Sequence, residues 1–414
     1  MPQSSVETAA AGDRPAGASR RNPFRVIGPA FITAALVFGP GSITTASAIG
    51  ASYGYQLLWV PVIATALMLC FVDLGVRIGL STDRGILPTV ARRFNAVVAT
   101  LVGIGSFLVV TSFQAGNSAG TGAAGTIMFG GDPRWFALGF TAIGLAFIWV
   151  PRFYPVLEKT MVVVILFMLA ALVVTAVISR PDPVAAVRGL VPSVPDGSTT
   201  LIVGLAATTF SVVGALYQIQ LVREKGWTAA DYKVARRDAV AGTLVLGALS
   251  VVIILAAAAV LQPAGITVSS PAALAQILRP IGDWAAVLFA IGLWAAAFSS
   301  LVGNSTIGGS MLAAVLRRDS GGLASVPVKV CISLVIVLGG VVALAFGGVP
   351  LQLIITAQAT TIVVVPLVGV VMVWLARHRD RGDLRIGVPQ LVVALIGLLF
   401  LVGLAISYII KLVG

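Results

Sequence analysis

The stretch Gly39-Pro40-Gly41-Ser42 interrupts the first long apolar segment of the chain, and it decides the fold that the sequence predicts. Residues 26–72 carry no charged side chain, and two glycines and a proline stand inside this run. In hydrocarbon, a broken helix survives only where protein buries it or where it lines a water-filled cavity, because its free backbone groups have no water to bind. The interruption therefore predicts a substrate site near the bilayer midplane, of the kind that discontinuous helices form in transporters.

The composition is that of a polytopic membrane protein. Of the 414 residues, 58% are hydrophobic and only 10% are charged, which is far more apolar than a soluble domain. Residues 1–24 lack an apolar segment, so we predict a disordered cytoplasmic tail there. Cys70 and Cys331 lie inside apolar runs, where packing is a better explanation than a disulfide or a metal site.

Apolar segments long enough to cross a bilayer, about 20 residues each, predict an all-α protein with eleven transmembrane helices. We place them at residues 26–49, 57–80, 96–118, 135–151, 157–179, 200–222, 239–262, 284–314, 327–347, 351–376 and 387–410. No linker or charge block suggests a second domain, so residues 25–414 are expected to form one transmembrane domain.

The net charge of +12 follows from topology. If the N-terminus is cytoplasmic, 22 of the 27 Lys and Arg residues fall on the cytoplasmic side, as the positive-inside rule requires. The odd number of helices then places the C-terminus outside. We accordingly expect an integral protein of the cell membrane that does not bind nucleic acid, and the sequence leaves its oligomeric state open.

A second interruption is predicted in the sixth span, where residues 208–214 read Thr-Thr-Phe-Ser-Val-Val-Gly. Broken helices five spans apart are typical of inverted repeats. We therefore predict two five-helix halves, at about residues 25–180 and 198–380, with an additional helix at residues 387–412.

The beginning of the chain resembles the Nramp family of divalent-metal transporters. In that family the first interruption reads Asp-Pro-Gly-Asn and is followed by Gly-Ala-x-x-Gly-Tyr-x-Leu-Leu-Trp. This chain has Gly39-Pro40-Gly41-Ser42 and then, at the same spacing, Gly50-Ala51-Ser52-Tyr53-Gly54-Tyr55-Gln56-Leu57-Leu58-Trp59. The resemblance extends over residues 25–412. It implies a LeuT-type fold with alternating access about a site between helices one and six.

The residues that bind metal in the family are replaced. The resemblance implies ligands at the Asp and Asn of the first interruption and at a Met in the sixth helix, and these positions are Gly39, Ser42 and Ser211 here. Divalent cations prefer charged oxygen donors, and a thioether selects transition metals. The remaining hydroxyls and carbonyls are expected to bind such ions weakly, so we assign no metal ligand.

The proton route implied by the resemblance is altered in the same direction. The family's acidic pair in helix three corresponds to Gln114 and Asn117, and its histidines in helix six correspond to Val213 and Gln218. Amides do not relay protons at physiological pH, whereas Asp, Glu and His do. We therefore expect no proton coupling by this route.

The candidate site residues are polar or conformationally special positions in these helices. For substrate binding they are Gly39, Pro40, Gly41, Ser42, Thr209, Ser211, Gly214 and Gln218, and for a polar pathway they are Gln114, Asn117, Asn304 and Gln358. Each amide alone also fits a structural role as a helix-to-helix hydrogen bond.

Asp73 and Arg77 are the acid and base that lie well inside a predicted helix, four residues apart. Such a pair fits a gate or an ion-linked switch. It also fits a neutralised pair in which Arg77 extends to the lipid headgroups.

Three functions are compatible with these observations. The first is a family-like transporter of divalent metal with a weakened, uncoupled site. The second is a transporter of a neutral or anionic small solute, since helix N-termini favour negative charge once the carboxylate is gone. The third is a receptor-like protein without turnover. No nucleophile, base and orienting group can be assembled from these spans, so we do not expect an enzyme, and we expect no cofactor.

Overall fold

The structure is a computed structural model, and it describes residues 38–82, 85–150, 154–282, 284–318, 322–346, 350–378 and 384–413. The predicted N-terminal tail and the first part of the first span lie outside these residues. Every regular element within them is helical. The prediction of an all-α membrane protein is confirmed.

The helices are numbered here in chain order. The first eight are α1 (Pro40–Tyr53), α2 (Trp59–Leu80), α3 (Ile86–Arg93), α4 (Ala96–Phe129), α5 (Pro133–Trp149), α6 (Tyr154–Ile178), α7 (Pro183–Arg188) and α8 (Thr199–Thr209). The others are α9 (Val212–Glu224), α10 (Tyr232–Val260), α11 (Pro271–Ala275), α12 (Ala285–Val315), α13 (Val326–Ala345), α14 (Pro350–Thr360), α15 (Val365–Arg377) and α16 (Val388–Val413).

Within the described ranges, eight helices are long and apolar enough to cross a membrane, and one bent pair makes a ninth candidate. Helix α5 is apolar but shorter. Large apolar side chains stand exposed along α6 and α16, such as Phe167 and Leu399, as expected of surfaces that face lipid. The total of eleven spans stays a prediction.

Three predicted helices have different bounds in the structure. Helix α4 continues to Phe129 instead of ending at residue 118, and α10 begins at Tyr232 instead of residue 239. The predicted tenth span is two helices, with a bend of 46° between Leu351–Val363 and Val365–Arg377. Pro366 near the start of α15 accounts for this bend, because proline cannot donate a backbone hydrogen bond to the preceding turn.

The structure shows the second interruption and the helix that follows the first one, whose preceding residues lie outside the described ranges. Helix α1 begins at Pro40 with an extended Gly39 before it, and the proline stands at the first helical position, where its missing N–H costs nothing. Helix α8 ends at Thr209, and Phe210 and Ser211 leave the helical conformation before α9 begins. The Ser211 hydroxyl caps α9 by accepting the Gly214 N–H at 3.1 Å.

Small residues let the helices approach closely around these breaks. A methyl group on Gly120 of α4 would lie 2.6 Å from the Pro40 ring, so the start of α1 packs directly on α4. Small residues have the same role in other membrane bundles. This contact fixes the position of the first interruption.

Candidate functional site

The two interruptions meet at a cavity of about 60 Å³. Its wall includes Gly39, Gly41 and Ser42 from the first break and Ser211 and Gly214 from the second. The other lining residues are Val110, Phe113, Asn117, Thr208, Val213, Tyr217, Asn304, Ile307 and Gln358. Eight of the residues predicted from sequence thus lie around one space.

The four remaining predicted residues lie nearby. Thr209 and Gln218 line an adjacent cavity of about 50 Å³, which shares Ser211 and Gly214 with the first and also contains Asp238. The ring of Pro40 faces α4. Gln114 is fully buried one turn from Asn117.

None of the described residues in the wall of the central cavity has a charged side chain. The first turns of α1 and α9 both border it, and N–H groups in a first turn have no partner within their helix. The first turns of α1 and α9 therefore carry partial positive charge. The last turn of α8 also reaches the cavity through Thr208, and the carbonyl groups of that turn place a smaller partial negative charge there.

Gln358 of α14 lies directly over the first interruption. A methyl group at Gly41 would overlap its carboxamide, so the glycine is needed for this approach. Gln358 is only 4% exposed, and its Oε1 has no hydrogen-bond partner among the described residues. A buried amide oxygen without a partner is uncommon, and this one belongs to a residue that lines the cavity.

The amides of α4 face one another. Asn117 donates from Nδ2 to Gln114 Oε1 at 3.3 Å. Gln114 packs against Gly339 of α13, and its Nε2 has no hydrogen-bond partner. The two residues form a neutral pair at the positions where the resemblance implies an acidic pair.

A wider vestibule of about 550 Å³ lies on the side predicted to be cytoplasmic. Gln220 and Met311 line it, one turn beyond Tyr217 and Ile307 of the central cavity. Arg223 stands at its exposed rim. The vestibule therefore lies along the same faces of α9 and α12 as the central cavity.

Sequence analysis missed several lining residues, among them Thr208, Phe113 and Tyr217. A helical signal existed for the last two: Phe113 is four residues before Asn117, and Tyr217 is three residues after Gly214, which places each pair on one helix face. Met68 and Asp238 of the adjacent cavity had no such local signal.

The Asp73–Arg77 pair belongs to a separate network near the predicted cytoplasmic end of α2. Arg77 Nε lies 2.8 Å from Asp73 Oδ2, and Arg77 donates to the Leu384 carbonyl at 3.2 Å. Asp73 also accepts from the Tyr232 hydroxyl at 2.8 Å and from Gln390 Nε2 at 3.1 Å. The prediction that Arg77 extends to the headgroups is wrong, because it is 9% exposed and bound within the protein.

No group of three or more His, Cys, Asp or Glu side chains stands close enough to hold a metal ion within the described parts of the chain. The described residues of the central cavity offer only neutral oxygen and nitrogen donors. They do not match the charged oxygen set that divalent cations prefer.

Comparisons with known proteins agree with this architecture. The family model described as natural resistance-associated macrophage protein-like matches residues 30–411. The divalent metal cation transporter MntH of Acidiphilium cryptum is 26% identical over 98% of this chain and 95% of its own length. The MntH of Yersinia pestis is 26% identical over 72% of this chain and 75% of its own.

Solved structures show the same fold. A manganese transporter of Eremococcus coleocola superposes with a TM-score of 0.73 at 16% identity, covering 95% of this chain and 88% of that one. The nucleobase-cation-symport-1 family transporter Mhp1, with bromovinylhydantoin bound, gives a TM-score of 0.61 over 88% of this chain and 80% of that one. With its LeuT-type fold and a family match that covers nearly all of the described residues, the chain belongs to the Nramp family of membrane transporters.

Proposed function

We propose that this protein is an alternating-access transporter whose central cavity takes a small neutral or anionic solute and not a divalent cation. The observation that carries the proposal is the neutral wall of the cavity, into which the N-terminal turns of α1 and α9 open. These turns carry partial positive charge, and no carboxylate stands at Gly39 to reverse it.

The electrostatics of the cavity oppose a divalent cation. Such an ion gives up hydration energy on entering the site, and charged oxygen ligands normally replace it. Here the ligand positions of the resemblance hold Gly39, Ser42 and Ser211, and Ser211 Oγ is already used to cap α9. A solute with an acceptor oxygen instead meets two sets of unpaired N–H groups, as carboxylates do at broken helices of other transporters.

We infer that transport is not coupled to protons through α4 and α9. Gln114 and Asn117 are buried amides that hydrogen-bond to each other, and the family's histidine positions hold Val213 and Gln218. None of these side chains gains or loses a proton near neutral pH. The same reasoning favours facilitated movement of solute down its gradient.

Divalent metal transport is the second candidate, and the relatives favour it. The similar proteins of Acidiphilium cryptum and Yersinia pestis are named divalent metal cation transporters. In this chain the donors would be Ser42, Asn117 and Gln358, which are all neutral. A metal held by this set would bind weakly and with little preference for transition metals.

We place the protein in the cell membrane with a cytoplasmic N-terminus, as the distribution of Lys and Arg predicts. In that orientation the vestibule lined by Gln220 and Met311 opens to the cytoplasm.

Uptake into proteoliposomes distinguishes the two candidates. Manganese, magnesium and calcium are compared with small neutral and anionic organic solutes, each with and without a pH gradient, and protein-free liposomes report leakage. We expect saturable flux of an organic solute, no saturable metal flux and no change of lumenal pH. Saturable manganese flux without organic flux would refute the proposal, and so would the absence of any flux from correctly folded protein.

A further inference from the structure

Gln358, which lies in the wall of the central cavity, has a buried acceptor oxygen, Oε1, that no donor among the described residues satisfies. Asn117 lies in the same wall and uses its Nδ2 to bind Gln114 Oε1. A buried acceptor left unpaired is costly, so Gln358 Oε1 is suited to a ligand that brings N–H donors.

The first turns of two helices border the same cavity, and N–H groups in a first turn have no partner within their helix. In α1 these are the N–H groups of Gly41 and Ser42, and in α9 it is that of Val213. Gly214 N–H is already bound by Ser211. A ligand that has both an acceptor oxygen and N–H groups can bind the N–H donors of the helix ends and the acceptor oxygen of Gln358 at the same time.

The cavity limits the size and charge of this ligand. Its volume of about 60 Å³ has room for on the order of five non-hydrogen atoms at the volume a water molecule requires. The described residues that line it are uncharged, so an ammonium group would lose its hydration without gaining a counter-charge from them. An uncharged ligand avoids this penalty.

We propose that the transported solute is a small uncharged molecule with a carbonyl oxygen next to N–H donors, which is the chemistry of a primary amide or of urea. The carbonyl oxygen binds the N-terminal turns of α1 and α9, and an N–H group binds Gln358 Oε1. This inference rests on the proposed function, because it assigns the substrate class of the same cavity.

The test uses full-length protein in proteoliposomes with radiolabelled urea and acetamide, and protein-free liposomes correct for passive permeation. We expect saturable uptake of at least one of the two solutes. N,N-dimethylacetamide keeps the carbonyl oxygen and lacks N–H donors, so it should compete at least about tenfold less well than acetamide. Equal competition would overturn the inference without requiring any variant to fold.

Gln358→Leu tests the acceptor directly. It removes the unpaired oxygen, and the concentration of amide that half-saturates uptake should rise at least about tenfold. Gln352→Leu is the matched control, because Gln352 is on the same helix α14 and is exposed. Unchanged uptake by Gln358→Leu would refute the role of Gln358.

Acetate, glycine and manganese separate failure of this inference from failure of the proposed function. Saturable uptake of acetate without uptake of amides would leave the proposed function standing and overturn the substrate class. Glycine uptake would do the same by showing that an ammonium group is accepted. Uptake of manganese alone would overturn both.

Discussion

The central cavity and the network around Asp73 use polar groups in opposite ways. The described residues that line the cavity between α1 and α9 are neutral, and one of them, Gln358, has an Oε1 without a partner among the described residues. The network is charged, and Asp73 receives hydrogen bonds from α2, α10 and α16. Both regions are buried among apolar helices, so burial alone does not distinguish a binding site from a structural one.

The two regions differ in whether their buried polar groups have partners. A buried ion pair whose partners are all present holds helices together, and removal of one partner leaves an uncompensated charge. A buried acceptor without a partner lowers the stability of the fold and is free to bind a ligand. We therefore expect substitutions in the network to change stability and substitutions in the cavity to change transport.

Asp73→Asn should have the largest effect. It leaves Arg77 buried without its carboxylate, and breaking such a pair costs about 3–5 kcal/mol of stability. Thermal or denaturant unfolding in detergent measures the loss, and Asp196→Asn is the control because Asp196 is exposed. If instead the stability is retained and transport per folded molecule is lost, the network acts as a gate and the contrast drawn above is wrong.

Gly41→Ala should act mainly on transport. The added methyl group overlaps the Gln358 carboxamide, so the side chain must move within a packed region, at a cost of about 1–3 kcal/mol. We expect apparent solute affinity to fall about tenfold or more. Uptake kinetics measure this change.

Gly403→Ala is the matched control for this substitution. Gly403 is an exposed glycine of α16, and a methyl group there meets nothing within 4 Å. Its uptake should equal that of the wild type. If Gly41→Ala also takes up solute as the wild type does, transport does not depend on the present position of Gln358.

The sequence predicted the interruptions well because each depends on local chemistry. Pro40 begins α1, and the Ser211 hydroxyl caps α9, and both preferences are visible in a few consecutive residues. The end of α4 was misplaced because residues 119–126 are mostly Gly, Ala and Thr. That composition is typical of the end of a span, but here it allows close packing against α1 and α5.

The partners of Arg77 were beyond prediction for a different reason. Leu384 and Tyr232 are 307 and 155 residues away in the chain. No local pattern encodes such contacts, which exist only after the helices have packed. The same is true of the contact between Gln358 and Gly41, which depends on the packing of α14 against α1.

Gly39→Asp combined with Ser211→Met should raise manganese affinity about tenfold or more, since the number of charged ligands strongly sets the affinity of an oxygen site. A Cβ at Gly39 would lie 3.2 Å from Ser300 Oγ and 3.3 Å from Asn117 Oδ1, so these side chains must shift slightly. Isothermal titration with manganese measures the gain.

Ser211→Ala is the control for the double variant, because any change at Ser211 removes the cap of α9 and costs about 1 kcal/mol. It should lose stability without gaining metal affinity. If the double variant binds manganese no better than Ser211→Ala does, the cavity is shaped for a different kind of ligand and does not lack only its carboxylate.

Arg236→Gln should have the smallest effect. Arg236 Nε lies 3.3 Å from Asp73 Oδ1, but its side chain is 55% exposed, and exposed ion pairs contribute about 0–1 kcal/mol. Arg77 already neutralises Asp73 from a buried position, so loss of the outer arginine leaves no buried charge unpaired. The control Arg237→Gln, at an exposed neighbouring residue, should have nearly the same unfolding midpoint as the wild type. A loss above about 2 kcal/mol specific to Arg236 would show that Asp73 needs both arginines.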